Sequence, residues 1–152
     1  MSDEAALREQ SIAVVRDYIE AINRWDFARM EELLDADARF EMPFAPEPLP
    51  RSISGRDEIL EFARTVPAMI DAENLHDVWA DTLAGDPGEV VCTYKSDMEI
   101  KPKMTPYRNR YVTRWTVREG RVTYFAEFYD GIELVKSLGG EVAPVSFEPE
   151  AA

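Results

Sequence analysis

YVTRWTVREGRVTYFAEFYDG, from Tyr111 to Gly131, is the stretch whose reading decides the fold. Two alternating runs meet at Glu119-Gly120, so the chain is expected to double back there as two antiparallel strands. In the first run Tyr111, Thr113, Trp115 and Val117 share a face with Asn109, while Arg110, Val112, Arg114, Thr116 and Arg118 share the other with Arg108. The Tyr111/Trp115 face should look at helices, and the arginine face should be solvated or form a subunit contact. In the second run Phe125, Glu127 and Tyr129 lie opposite Tyr124, Ala126, Phe128 and Asp130, so aromatic rings stand on both faces. Alternation therefore leaves two placements for Glu127. It is either an inward carboxylate whose pKa desolvation raises, or an outward one paired with an arginine of the neighbouring strand.

Upstream of the hairpin the periodicity is first helical. Val14, Val15, Tyr18, Ile19 and Ile22 predict a helix from Asp3 to Asn23, and Asp26 can cap a second, shorter one carrying Phe27, Met30, Leu33 and Leu34. Arg39 to Phe44 alternates as a strand, weakened by Pro43. Three prolines in APEPLPRSISG predict a loop able to cover a pocket mouth. Ile59, Leu60, Phe62, Ala63 and Val66 then predict a third helix, ended by Pro67. From there the period is two: a strand over Leu75 to Leu83, a turn at GDPGE, and a strand over Val90 to Ile100 with Cys92, Tyr94, Ser96, Met98 and Ile100 on one face. KPKMTP is a further loop. Leu134, Val135 and Leu138 predict a short packed turn, followed by a mobile tail over 139–152. Helices first and turn-linked strands afterwards give an α+β domain over 1–138, with three N-terminal helices on a mainly antiparallel sheet.

Composition narrows the function. With 152 residues, 45% hydrophobic and 11% aromatic, the chain can build one real core. Seventeen basic against thirty acidic residues give a net charge of −13, so polyanions are repelled and nucleic acid is not expected as a partner. Cys92 stands alone, without an internal disulfide partner or a Cys/His zinc pattern, which suits a reducing cytoplasm. No apolar leader or membrane-length segment is visible, so no membrane association is expected. A single histidine, His76, leaves no basis for a histidine-rich metal site, and the scattered glycines form no phosphate loop.

The stretch AVVRDYIEAINRWDFARMEELLDADARFE, followed by the Pro-rich loop and SGRDEILEF, resembles in order and spacing the opening of ketosteroid isomerases. The resemblance covers roughly Leu7 to Gly131 and implies the NTF2-like superfamily in its SnoaL-like branch: a strongly bent sheet forming a cone around an apolar pocket. It places Tyr18 where those isomerases keep an oxyanion-binding tyrosine. Met42 stands where they keep the catalytic aspartate, and a thioether takes no proton. Thr113 falls near their second oxyanion donor. The stretch YRNRYVTRWTVREGRVTYFAEFYD is also similar to the end of phenazine biosynthesis A/B-type proteins, whose functional glutamate corresponds to Glu127 and whose histidine falls near Phe62.

What the resemblance implies is a cofactor-free acid/base enzyme of isomerase, cyclase or condensation/dehydration type acting on a small apolar carbonyl or aromatic compound. Glu127 and Tyr18 are the expected catalytic groups. Trp25, Phe40, Met42, Phe62, Asn109, Tyr111, Thr113, Trp115, Phe125 and Tyr129 are the expected substrate contacts, and no metal is expected. The same fold also serves as a non-catalytic binding or dimerisation module, and its outer sheet face often forms a homodimer.

Overall fold

The computed structural model describes residues 2–146. Helix α1 (Asp3–Asn23) starts where Ser2 Oγ accepts from the Ala5 amide at 3.2 Å, with Asp3 and Glu4 suiting the positive end of its dipole. It buries Val15, Tyr18, Ile19 and Ala21 and stops where Trp25 takes a left-handed φ of 55°. Asp26 then accepts from the Arg29 amide at 3.0 Å and caps α2 (Phe27–Leu33).

Strand β1 (Leu34–Glu41) follows α2 directly, which corrects the expected strand over Arg39 to Phe44. Pairing begins five residues earlier and ends before Pro43, which has no amide to donate. Within the Pro-rich stretch, β2 (Ser52–Ser54) pairs antiparallel with β1, so the loop is shorter than expected. Next come α3 (Arg56–Thr65), a 3-10 turn at Val66–Ala68 around Pro67, β3 (Leu75–Leu83), β4 (Asp86–Ile100), β5 (Thr105–Arg118) and β6 (Arg121–Tyr129). Strand β4 starts inside the expected GDPGE turn. Gly88 belongs to it, and a Cβ there would meet the Val117 carbonyl oxygen at 2.4 Å. The expected turn after Gly131 is a helix, α4 (Gly131–Ser137), capped by Asp130, and it brings the α-helices among the described residues to four. No helix or strand forms over 139–146, and the remainder of the expected tail lies outside the described residues.

Among the described residues six strands form one sheet in the order β2-β1-β6-β5-β4-β3, with β1 and β6 parallel and the other neighbours antiparallel. Register shifts in the β1–β6, β3–β4 and β5–β6 pairs are the irregularities at which strands bend and re-aim their side chains. The concave face receives α1 and α3, the NTF2-like arrangement. Alternation in β4 and β5 is as expected: Val90, Cys92, Tyr94, Ser96 and Met98 are buried, as are Tyr107, Asn109, Tyr111, Thr113, Trp115 and Val117. At the centre Trp115 stacks on Phe125 (4.7 Å, 7°) and meets Tyr18 edge-on (5.5 Å, 65°), pairs that add about 0.5–1.5 kcal/mol each beyond burial.

Candidate active site

Hairpin register places Glu127. In the β5–β6 ladder Trp115 faces Phe125, Thr113 faces Glu127 and Tyr111 faces Tyr129, and directly opposed residues share a side of the sheet. Thr113 is fully buried on the concave side, so Glu127 points inward. It opens onto a cavity of about 120 Å³ enclosed by α1, α2, α3 and the sheet, whose wall is almost wholly apolar: Ile22, Phe27, Met30, Ile59, Ala63, Val66 and Leu75 complete it between the rings.

The carboxylate has one partner among the described residues, the Tyr94 hydroxyl, which donates to Glu127 Oε1 at 2.7 Å. Burial raises the Glu127 pKa, and the Tyr94 hydrogen bond works against that rise. Burial first, and the Glu127 charge second, lift the Tyr94 phenol well above its usual range, so it remains a donor. Tyr18 is buried against the same cavity, and its hydroxyl makes no hydrogen bond among the described residues. Its pKa is likewise raised by burial and then by Glu127, which leaves a neutral O–H free to bind a ligand oxygen.

Of the expected contacts, Trp25, Phe40, Met42, Phe62, Tyr111 and Phe125 border this cavity beside Tyr18 and Glu127. Phe40 and Phe125 stack at 4.2 Å and make one wall, while Tyr94 and Tyr111 stack at 5.0 Å and make another. Four residues do not border it. Thr113 is sealed in the core, donating to the Cys92 carbonyl (2.8 Å) and accepting from Trp115 Nε1 (2.7 Å), so both residues are occupied with each other. Asn109 ties the strand ends together, donating to Tyr107 Oη (2.8 Å) and the Asp130 carbonyl (2.9 Å) and accepting from the Asp130 amide (3.2 Å). Tyr129 lies one pair further along the ladder, against the Tyr111 ring at 5.7 Å.

Besides apolar lining, two polar site residues escaped the sequence reading. Tyr94 had a signal: it shares a face with Cys92 and stands opposite Tyr111, so a register would have placed it. Glu73 had none, because it belongs to the irregular segment before β3. It lines the cavity, and burial, followed by repulsion from Glu127, pushes its pKa up to about 8. Among the described residues no cluster of three or more His, Cys, Asp or Glu could hold a metal ion. The Cys92 thiol is pushed up to about 11 by burial, which makes it a core group and not a nucleophile. No helix among the described residues is long and apolar enough to cross a membrane.

Comparison with known proteins agrees with this architecture. The family described as SnoaL-like domain matches residues 15–125. YesE of Bacillus subtilis (strain 168), an uncharacterized protein, is 25% identical over 134 residues, which is 87% of this chain and 89% of YesE. A candidate isomerase from Bacillus subtilis superposes with a TM-score of 0.81 at 23% identity, over 92% of this chain and 98% of that one. A phenazine biosynthesis-related protein from Pseudomonas aeruginosa also superposes with a TM-score of 0.81, at 17% identity over 99% and 98% of the two chains. At these identities the superpositions establish a shared fold.

Proposed function

The chain belongs to the SnoaL-like family, and from that premise we propose that its cavity carries out acid/base chemistry on a small apolar carbonyl or aromatic compound. The observation that supports it best is the pairing of an inward Glu127 with an uncommitted Tyr18 hydroxyl on one apolar space. A carboxylate held out of water is a stronger base, and burying it is costly unless it is used. Glu127 takes the proton from the carbon beside a ligand carbonyl, and Tyr18 donates a hydrogen bond to the oxygen as charge develops there. Return of the proton at another carbon is isomerisation, and attack by the same carbon on a second carbonyl is cyclisation or condensation. That a candidate isomerase and a phenazine biosynthesis-related protein share the fold supports chemistry on small molecules.

A second reading, a ligand-binding module without turnover, draws support from Met42 and Thr113. Met42 borders the cavity where ketosteroid isomerases keep their aspartate, and the Thr113 hydroxyl is already spent on Cys92. Glu127→Gln separates the two. General acid/base catalysis contributes roughly 10²–10⁴-fold, so the variant of an enzyme should lose at least about 100-fold in turnover while ligand binding largely survives. Saturable binding without product in the unaltered protein would establish the module instead.

We propose further that two copies associate through the convex face. Trp79, Thr93, Val112 and Phe128 form one row across β3, β4, β5 and β6, with Trp79 and Val112 each 54% exposed. Phe44 extends the row edge-on to Phe128 at 5.6 Å. Of the arginines on this face, Arg108 pairs with Asp97 (3.0 Å) and Arg114 with Glu89 (3.3 Å) within the chain, which leaves the apolar row and the exposed Arg110 beside it as the features a second copy would cover.

A further inference from the structure

We propose that Glu73 is the second catalytic acid of the cavity: it protonates the ligand's carbonyl oxygen while Glu127 removes the proton from the adjacent carbon. The pair thereby confines the site to ligands without negative charge. This rests on the reading of Glu127 as the base.

The position of Glu73 is built, not incidental. Its segment is pinned on both sides. The Asp71 amide donates to the Glu99 carbonyl (3.1 Å), and Asp71 Oδ1 accepts from the Glu99 amide (2.9 Å). Asn74, in the left-handed region at φ 42°, donates from Nδ2 to the Asp97 carbonyl (3.1 Å). Immediately afterwards both backbone groups of Leu75 bond the Asn23 side chain, at 2.8 and 2.9 Å. Glu73 therefore hangs from a clamped span as part of the cavity lining, and its carboxyl makes no hydrogen bond or ion pair among the described residues. A carboxyl so placed is costly unless a ligand meets it.

Chemistry divides the two acids. Glu127 receives the Tyr94 hydroxyl, which favours its ionised form, whereas Glu73 receives no donor among the described residues and is repelled by the Glu127 charge. Two carboxyls on one largely apolar space do not both ionise readily, so near neutrality the pair holds one proton and Glu73 keeps it. Among the described residues the other titratable groups around the pair are phenols, Tyr18 from α1, Tyr94 from β4 and Tyr111 from β5 on the cavity and Tyr107 from β5 and Tyr129 from β6 behind it, all raised by burial and so neutral. Among the described residues no Lys, Arg or His borders the cavity to offset an anionic ligand.

The step balances without a co-reactant. Glu127 takes the proton, the C–H electron pair becomes a C=C bond, and the carbonyl π pair forms an O–H bond with the Glu73 proton. The neutral enol then collapses as Glu73 recovers the hydroxyl proton and Glu127 delivers its own to carbon.

The test uses the full chain as unaltered protein, Glu73→Gln and Glu127→Gln. NMR follows deuterium exchange at the α-carbon of cyclohexanone between pH 5 and 10, together with binding of cyclohexanone and of 4-oxocyclohexanecarboxylate. We expect Glu73→Gln to exchange at least tenfold more slowly, to bind cyclohexanone as before, and to lose the fall in rate that the unaltered protein shows above about pH 8. The carboxylate should bind the unaltered protein at least tenfold more weakly than cyclohexanone, and the gap should narrow in Glu73→Gln. If Glu127→Gln is silent but Glu73→Gln keeps the original rate and pH limb, the role of Glu73 is overturned and that of Glu127 stands. If Glu127→Gln exchanges normally, or the unaltered protein does not exchange at all, the base reading falls and this proposal with it. Equal binding of the two ligands overturns the charge restriction.

Discussion

Tyr94→Phe isolates the one side-chain hydrogen bond that Glu127 receives among the described residues. The phenylalanine ring keeps the stack on Tyr111 at 5.0 Å, so the change removes little except the donor 2.7 Å from Oε1. A hydrogen bond to an ionised group is worth about 1.5–3 kcal/mol, and one to a neutral acceptor about 1 kcal/mol. The charged form of Glu127 thus loses about 1.4 kcal/mol more than the neutral form, which is one pKa unit. The sign of the pH dependence follows. Glu127 already titrates above its ordinary 4.5, so the stability linked to its proton is complete below that value and is lost as pH rises through the folded pKa. Raising the folded pKa by a further unit extends that loss. Urea unfolding should show the variant destabilised by about 1 kcal/mol at pH 4 and by about 2.5 kcal/mol once both folded pKa values have been passed. A ¹³C titration of the Glu127 carboxyl should move upward by about one unit. An unchanged or lowered Glu127 pKa would refute the claim that Tyr94 stabilises the carboxylate.

Asn23→Ala removes both hydrogen bonds that join the end of α1 to Leu75. It should cost about 2 kcal/mol in urea unfolding and accelerate amide exchange at Leu75, the anchor beside Glu73. Val112→Arg puts a charge in the middle of the convex apolar row. Light scattering should then report a dimer mass for the unaltered chain and a monomer mass for the variant, and a monomer in both would remove the proposed association.

Local periodicity made much of this molecule legible. The 3.6-residue stripe of α1 and the strict alternation of β5 state their own inner faces, because one side of each is apolar and the other charged. Strand β6 does not, since Phe125 and Phe128 lie on opposite faces. Only its pairing with β5, Thr113 against Glu127, decides the matter, and pairing is a long-range fact. The early start of strand β1 was not legible because Asp35-Ala36-Asp37 has little strand propensity and lies in the irregularity between Leu34, paired with Val122, and Arg39, paired with Tyr124, partners near the other end of the chain. Thr113 and Trp115 had the residue types of a site, but they satisfy each other. Glu73 had no pattern around it, since its direction comes from Asn23, Asp97 and Glu99, which are distant in sequence.

The parallel contact between β1 and β6 has a consequence for how the molecule is made. Phe40 enters at the start of the sheet and Phe125 at its end, and their stack is a wall of the cavity. A nascent chain carrying all three N-terminal helices and β1 to β5 still lacks this wall and the carboxylate beyond it. Closing so long a loop is slow compared with forming helices or turning a hairpin. During synthesis the aromatic faces of Tyr18 and Phe40 therefore wait uncovered until β6 arrives. The binding space and the completed sheet appear in one late event, and any truncation before Tyr129 should leave neither.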